Sequence, residues 1–355
     1  MVTWKFIFFP FALAYGFAIR IRNWLFDAGI LKEKEFQIPT IGIGNLVVGG
    51  TGKTPFAEYL VRLLQNDYKV ATLSRGYGRT TTGFRLVDQF SDHEDVGDEP
   101  LQYSRKFGNK ITVSVDESRR NGIRFLMQND KSLDVVLLDD CLQHRYVKPG
   151  ISILLTEYHN LYPEDYFLPV GRLRDSISQA KRADIIIVTK TYKVLSPITR
   201  RRVDKLLKPE PHQRVYYSFI NYGDLIPLPG TQEELPENKA TTIIMFSGVA
   251  NPEPFKDFLR DQCSELLCLD FPDHHIYKKK DLQLIREKYN ELFTRSKIIV
   301  TTEKDAMRLL KSPYLSEFKN LPVFYIPIEV KLHGTDEIEF ANQIIRYVEE
   351  NRRNR

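Results

Sequence analysis

Six consecutive residues, Gly49, Gly50, Thr51, Gly52, Lys53 and Thr54, carry the pattern of a phosphate-holding loop. Glycines let successive backbone N–H groups approach phosphate oxygens, a helix amino terminus adds partial positive charge, and Pro55 is tolerated in the first turn of that helix. Lys53 then reaches the β and γ phosphates of a nucleoside triphosphate, and Thr54 ligates magnesium. The usual spacing has a further glycine at position 47, where this chain has Val47, so the double glycine must supply the flexibility. The competing reading is a glycine-rich turn that binds nothing.

A loop of this kind is accompanied by a hydrophobic strand ending in aspartate. Leu133 to Leu138, followed by Asp139 and Asp140, fits. Adjacent carboxylates repel each other unless a cation or donors compensate them, so the pair points to a metal site rather than to a cap or turn. In Gly97-Asp98-Glu99-Pro100, Asp98 can accept a proton from an attacking hydroxyl, although the same four residues also make an ordinary turn. LSRGYGR (73–79) and LPVGRLRD (168–175) set arginines on glycine-bearing loops suited to anions or to simple turns. His274 and His275 are adjacent, and with no third ligand at a recognisable spacing they do not read as a metal site; one of them can instead hold and tune a carboxylate base.

Positioning these residues requires parallel strands with crossover helices. Short runs rich in Val and Ile predict strands at 41–44, 70–74, 111–115, 133–138, 151–155 and 185–188, with helices over 55–65 and 117–127. The polar stretch 80–99 reads as a long functional loop. Around KPEPHQR (208–214) the pattern breaks, and strands follow at 215–220, 241–246, 266–271, 297–302 and 323–328. The expected organisation is an amino-terminal segment (1–28), a P-loop domain (29–212) and a smaller α/β domain (213–355). With 42% hydrophobic and 27% charged residues the chain can bury such cores. Its net charge of +5 is dispersed, giving no nucleic-acid footprint and suiting an anionic small molecule or membrane surface. Three cysteines, an odd number without CxxC spacing, speak against a disulfide framework and a zinc site and for a reducing compartment, and read as packing residues.

The amino terminus departs from this composition. FIFFPFALAYGFAI (6–19) lies between Lys5 and Arg20/Arg22, and both tryptophans, Trp4 and Trp24, flank it. Fourteen uncharged residues are too few to span a bilayer, which takes about 20, and no small-residue cleavage site follows. The expectation is an interfacial segment with its rings at headgroup depth and its arginines on lipid phosphates. The alternative is a first helix packed on the core, for which Pro10 is awkward unless the helix starts there.

Together these motifs resemble the tetraacyldisaccharide 4'-kinases, which phosphorylate the lipid A precursor on the cytoplasmic face of the Gram-negative inner membrane. The resemblance rests on Asn45-Leu46 with GGTGKTP, LSRGYGR, GDEP, the aspartate pair with Gln143-His144, LPVGRLRD, Ala183-Asp184 with IIIVTK, FSGVANP, FPDHH and TTEKDAMR. Cys141-Leu142 departs from the small residue and aromatic expected after the aspartates. The resemblance implies a P-loop NTPase-like α/β fold, ATP and Mg2+ as cofactors, a lipid disaccharide phosphate as substrate and no protein partner. It also implies a catalytic Asp98 and His274 brought together by domain closure, Glu99 beside Thr54, Asp139 and Asp140 at the metal, and Arg172 and Arg120 on the anionic substrate. A rival from another class is a membrane-associated P-loop ATPase switch of the partitioning type. Such switches carry a lysine just before the double glycine, where this chain has Val48, and have no need of GDEP or PDHH.

Overall fold

The computed structural model describes residues 7–88, 90–232, 241–273, 275–294, 296–310 and 312–353. Trp4, Lys5, Phe6, His274 and part of the connection before residue 241 therefore lie outside the described residues. Two compact units form: residues 1–220 with 330–355, and residues 221–329.

The first unit runs in chain order through α1 (Phe9–Asp27), β1 (Thr40–Gly44), α2 (Lys53–Leu64), β2 (Val70–Ser74), β3 (Arg85–Leu86), α3 (His93–Val96), α4 (Asp98–Phe107), β4 (Thr112–Val115), α5 (Arg119–Asn129), β5 (Val135–Leu138), β6 (Ile151–Glu157), β7 (Ile185–Thr189), α6 (Pro197–Leu207) and β8 (Arg214–Tyr222). The second unit holds β9 (Ile226–Pro227), β10 (Thr242–Ser247), α7 (Glu253–Arg260), β11 (Glu265–Asp270), α8 (Lys279–Glu291), β12 (Lys297–Thr302), α9 (Glu303–Leu309) and β13 (Val323–Ile326). The chain then re-enters the first unit through β14 (Ile328–Leu332) and α10 (Asp336–Arg353).

The large sheet has the order β14-β8-β7-β6-β1-β5-β2-β4-β3 and is parallel from β8 to β4. Alternation along its strands divides the core in two, as a sheet covered on both faces requires. Ile41, Ile43, Val135, Leu137, Ile153 and Leu155 pack with Phe56, Leu60 and Leu64 of α2 and Phe340, Ile344 and Val348 of α10. On the other face, Leu73, Val136 and Leu138 meet Ile123 and Leu126 of α5, while Leu154, Ile186 and Val188 meet Val203 and Leu207 of α6. Each fully buried Leu, Ile or Phe contributes about 1.5–3 kcal/mol. The smaller sheet, β11-β10-β12-β13-β9, is covered by α8 and α9 through Leu282, Ile285 and Leu309, and by α7 through Phe255 and Leu259.

Three expectations change. The units divide at 221 and 329 rather than near 212, because β8, which follows the proline break, still belongs to the large sheet and β14 returns beside it. The stretch expected as one loop over 80–99 contains β3 and α3 and ends inside α4. Pro327, which has no N–H for a ladder, separates β13 from β14 where a single strand was predicted.

The amino-terminal segment is a helix with Pro10 in its first turn. Ala12, Gly16, Asn23 and Phe26 are buried on one side, whereas Phe8, Phe11, Leu13, Phe17 and Trp24 are exposed. Among the described residues, no helix is long and apolar enough to cross a membrane. All three thiols are unpaired, and Cys141 packs where a Cβ on Gly42 would stand 2.5 Å from its Sγ, which supports its reading as a packing residue.

Candidate active site

Strand order brings the chemistry together. β5 is the direct neighbour of β1, with Gly42 in register with Leu138, so the glycine loop after β1 and the aspartates after β5 leave the same edge side by side. Gly52 caps α2 with φ of 85°, a conformation open to glycine at little cost. The loop is braced from within: Asn45 Nδ2 donates to Thr51 Oγ1 at 2.7 Å, and Thr189 at the end of β7 donates to the Thr51 carbonyl at 2.8 Å. Lys53 Nζ lies 3.4 Å from Asn45 Oδ1 and 3.7 Å from Asp140 Oδ1.

The GDEP motif enters the same space through α4. A Cβ on Gly97 would come within 2.8 Å of the Tyr77 carbonyl, so the glycine lets the LSRGYGR loop lie directly against the start of α4. Asp98 and Glu99 occupy the first turn, where carboxylates suit the helix dipole. Asp98 is exposed; Glu99 Oε1 accepts from Thr54 Oγ1 at 3.3 Å. Burial and the nearby Asp139 raise the Glu99 carboxyl to about 7, against the pull of Lys53.

The two adjacent aspartates are compensated differently. Asp139 is 2% exposed; Tyr103 donates to its Oδ2 at 3.0 Å, Arg119 Nη2 donates to its carbonyl at 2.7 Å, and Oδ1 is buried without a hydrogen-bond partner. Burial and the charge of Asp140 raise its pKa. Asp140 meets Arg174 through both oxygens, Nη1 to Oδ2 at 2.9 Å and Nη2 to Oδ1. Partial burial pushes its pKa up, but Arg174 and Lys53 outweigh that and hold it at about 2.

Arg174 arrives on the LPVGRLRD segment, which runs beside the approach to the glycine loop: Val48 N–H donates to the Arg172 carbonyl at 2.8 Å and Arg174 N–H to that of Leu46 at 2.9 Å. Leu173 between them is buried. Arg172 itself binds Asp165 at 3.0 Å and lies 4.0 Å from Glu157. Arg120 donates to the carbonyls of Tyr146, at 2.7 Å, and Lys32. Its neighbour Arg119, about 100° around the helix, is the one that reaches Asp139. Sequence reasoning thus passed over Arg119 and Tyr103, and set Arg174 among arginines suited to an anion rather than against Asp140.

The metal expectation finds a partial fit. Among the described residues, no three His, Cys, Asp or Glu side chains already converge on one cation position. Magnesium ordinarily takes one or two carboxylates and completes its shell with phosphate oxygens and water. A buried Asp139 oxygen with no hydrogen-bond partner, followed in the chain by a second aspartate, fits that donor set.

In the second unit, His275 stacks on Phe271 at 4.8 Å and its Nε2 lies 3.0 Å from Asp281 Oδ2. Gly248 N–H donates to Asp305 at 3.0 Å, so the FSGVANP and TTEKDAMR motifs meet there.

The family model for tetraacyldisaccharide-1-P 4'-kinase matches residues 4–349. The chain is 44% identical to the tetraacyldisaccharide 4'-kinase of Bacteroides thetaiotaomicron, over 98% of this chain and 94% of that one. It is 45% identical to the enzyme of the same name from Flavobacterium psychrophilum, over 96% of each. A crystal structure of LpxK from Aquifex aeolicus, described as an "apo" form in complex with ATP, superposes with a TM-score of 0.72 at 28% identity, over 97% of this chain and 99% of that one. The chain belongs to the tetraacyldisaccharide-1-P 4'-kinase family and is an ATP-dependent kinase of lipid A biosynthesis.

Proposed function

We propose that this chain transfers the γ-phosphoryl group of ATP to the 4'-hydroxyl of an acylated glucosamine disaccharide 1-phosphate with the residues named above. The observation that carries the assignment is the buried, half-partnered carboxylate of Asp139 beside the loop that bears Lys53. Backbone N–H groups of Gly49 to Thr54 and the Lys53 ammonium cradle the phosphates. Thr54, Asp139, Asp140 and Glu99 would hold Mg2+, one or two of the carboxylates directly and the others through water, and the ion would supply charge neutralisation at the phosphoryl oxygens. Asp98 takes the proton as the sugar oxygen attacks phosphorus and the bond to the ADP oxygen breaks, and His274 assists that base. Arg172 and Arg120 meet the substrate's anionic groups; the bonds of Arg120 go to neutral carbonyls, which leave its charge uncancelled. The apolar outer face of α1 rests on the cytoplasmic surface of the inner membrane of a Gram-negative cell, where this substrate is found. Incubation with Mg2+, ATP and the lipid disaccharide phosphate, followed by mass analysis, should give a lipid heavier by one phosphate; an unchanged lipid overturns the assignment. Lys53→Ala should give no product while keeping its fold.

A further inference from the structure

One face of α4 makes four polar contacts at helical spacing. Glu99 accepts from Thr54, Gln102 Nε2 donates to Glu58 at 2.7 Å, Tyr103 donates to Asp139, and Lys106 pairs with Glu58 at 2.8 Å. Positions 99, 102, 103 and 106 form the i, i+3, i+4, i+7 stripe of a helix, so this stripe faces α2 and the end of β5. Glu58 is 1% exposed, and a buried carboxylate held by two donors of this stripe, with Arg62 of its own helix at 3.5 Å, is a rigid tie.

Within the stripe, Tyr103 is the residue that donates to an aspartate of the adjacent pair Asp139 and Asp140. Its ring is fully buried and would serve packing equally well as phenylalanine. The hydroxyl adds something packing does not need: it takes Oδ2 of Asp139 and leaves Oδ1, itself buried, without a partner.

We propose that Tyr103 is a positioning residue for the cation site, selecting the Asp139 oxygen that faces the metal and holding the first turn of α4 in register with the glycine loop. The proposal rests on the assignment of Asp139 to the cation made above. A carboxylate free to rotate presents either oxygen, whereas one held by a buried hydroxyl presents one, and loss of such outer partners typically costs about 10–100-fold in metal affinity or activity.

The test uses the full chain with ADP and Mn2+ as a paramagnetic probe, with free Mn2+ read by electron paramagnetic resonance. Tyr103→Phe should weaken Mn2+ binding about tenfold and lower kcat by a similar factor or more. Asp139→Asn should abolish tight Mn2+ binding, and adding Tyr103→Phe to it should cost nothing further, because the hydroxyl acts through that carboxylate. Thermal melts of each variant identify losses due to unfolding, and the cycle with Asp139→Asn separates positioning from packing, since a packing defect would persist in the double variant. If Tyr103→Phe binds Mn2+ as tightly as the unaltered chain while Asp139→Asn does not, the positioning role is overturned and the cation assignment stands. If Asp139→Asn retains full affinity, both fall.

Discussion

The Tyr15 hydroxyl donates to the carbonyl of Arg174 at 3.1 Å, and the guanidinium of that same arginine grips both oxygens of Asp140. One residue further, Asn23 Nδ2 donates to the fully buried Asp175 at 2.8 Å, and Arg22 reaches the same carboxylate at 3.4 Å. The apolar helix is therefore anchored to the dipeptide whose arginine neutralises Asp140. Arg22, expected on lipid phosphates, spends its charge on the protein instead.

Arg174 should matter more to nucleotide handling than Arg172. Arg174→Ala leaves Asp140 with Lys53 as its facing cation and removes a bidentate charged contact, so kcat/KM for ATP should fall about 10–100-fold. Arg174→Lys should recover little, because an ammonium does not bridge two oxygens as a guanidinium does. Arg172→Ala should instead raise KM for the lipid with KM for ATP nearly unchanged. Steady-state kinetics with each substrate varied in turn decide the matter, and equal effects of the two alanines on ATP would contradict this division.

Stability should fall in mild acid through His144. Burial, then Arg119 and Arg75, lower its pKa from 6.5 to about 4. The unfolded chain therefore binds a proton near pH 6.5 that the folded chain refuses until about pH 4. The stabilisation is complete above pH 6.5 and is lost as pH drops from 6.5 toward 4. Allowing for solvent screening of a partly exposed ring, the loss amounts to about 1–2 kcal/mol. Urea midpoints measured at pH 7.5 and 5 should converge in His144→Gln relative to the unaltered chain; an identical pH dependence in both would exclude this histidine as the source.

The base assignment makes a sharper kinetic demand. Asp98→Asn should lower kcat by about 10²–10⁴-fold while leaving ATP affinity intact, since this side chain is assigned to the sugar hydroxyl and not to phosphate. His274→Ala should also act on kcat. A variant at Asp98 that retained kcat but lost ATP affinity would move the residue into the nucleotide site.

Much of this arrangement is legible in residue order because it rests on local patterns. The glycine loop, the strand that ends in Asp139 and the alternating sheet core each follow from runs of a few residues whose spacing has one good structural solution. What stays hidden depends on facing. Arginines at 119 and 120 are equivalent in sequence, and only the roll of α5 sends one inward. Arg172 and Arg174 straddle a buried leucine in an extended segment, and only its register against Leu46 to Val48 shows which of them meets Asp140. Tyr103 could have been found from the 99, 102, 103, 106 spacing had α4 been recognised as a helix, but its polar stretch read as a loop end.

The last prediction concerns the outer face of α1. Phe11, Phe17 and Trp24 are each more than 60% exposed, while Ala12, Gly16, Asn23 and Phe26 on the opposite side are buried against the protein. A buried side with specific donors and an open side of large rings divides the helix into an anchor and a contact surface. Replacing Phe11, Phe17 and Trp24 together by serine alters only the open side, so thermal stability should hold. If each ring gains about 1 kcal/mol by partial burial among headgroups, vesicle affinity should fall about 100-fold. Cosedimentation with anionic vesicles reads this directly, and kcat on a water-soluble, short-chain disaccharide phosphate should be unaffected. Unchanged sedimentation would remove the membrane role from α1 and leave its exposed rings to be explained by another contact.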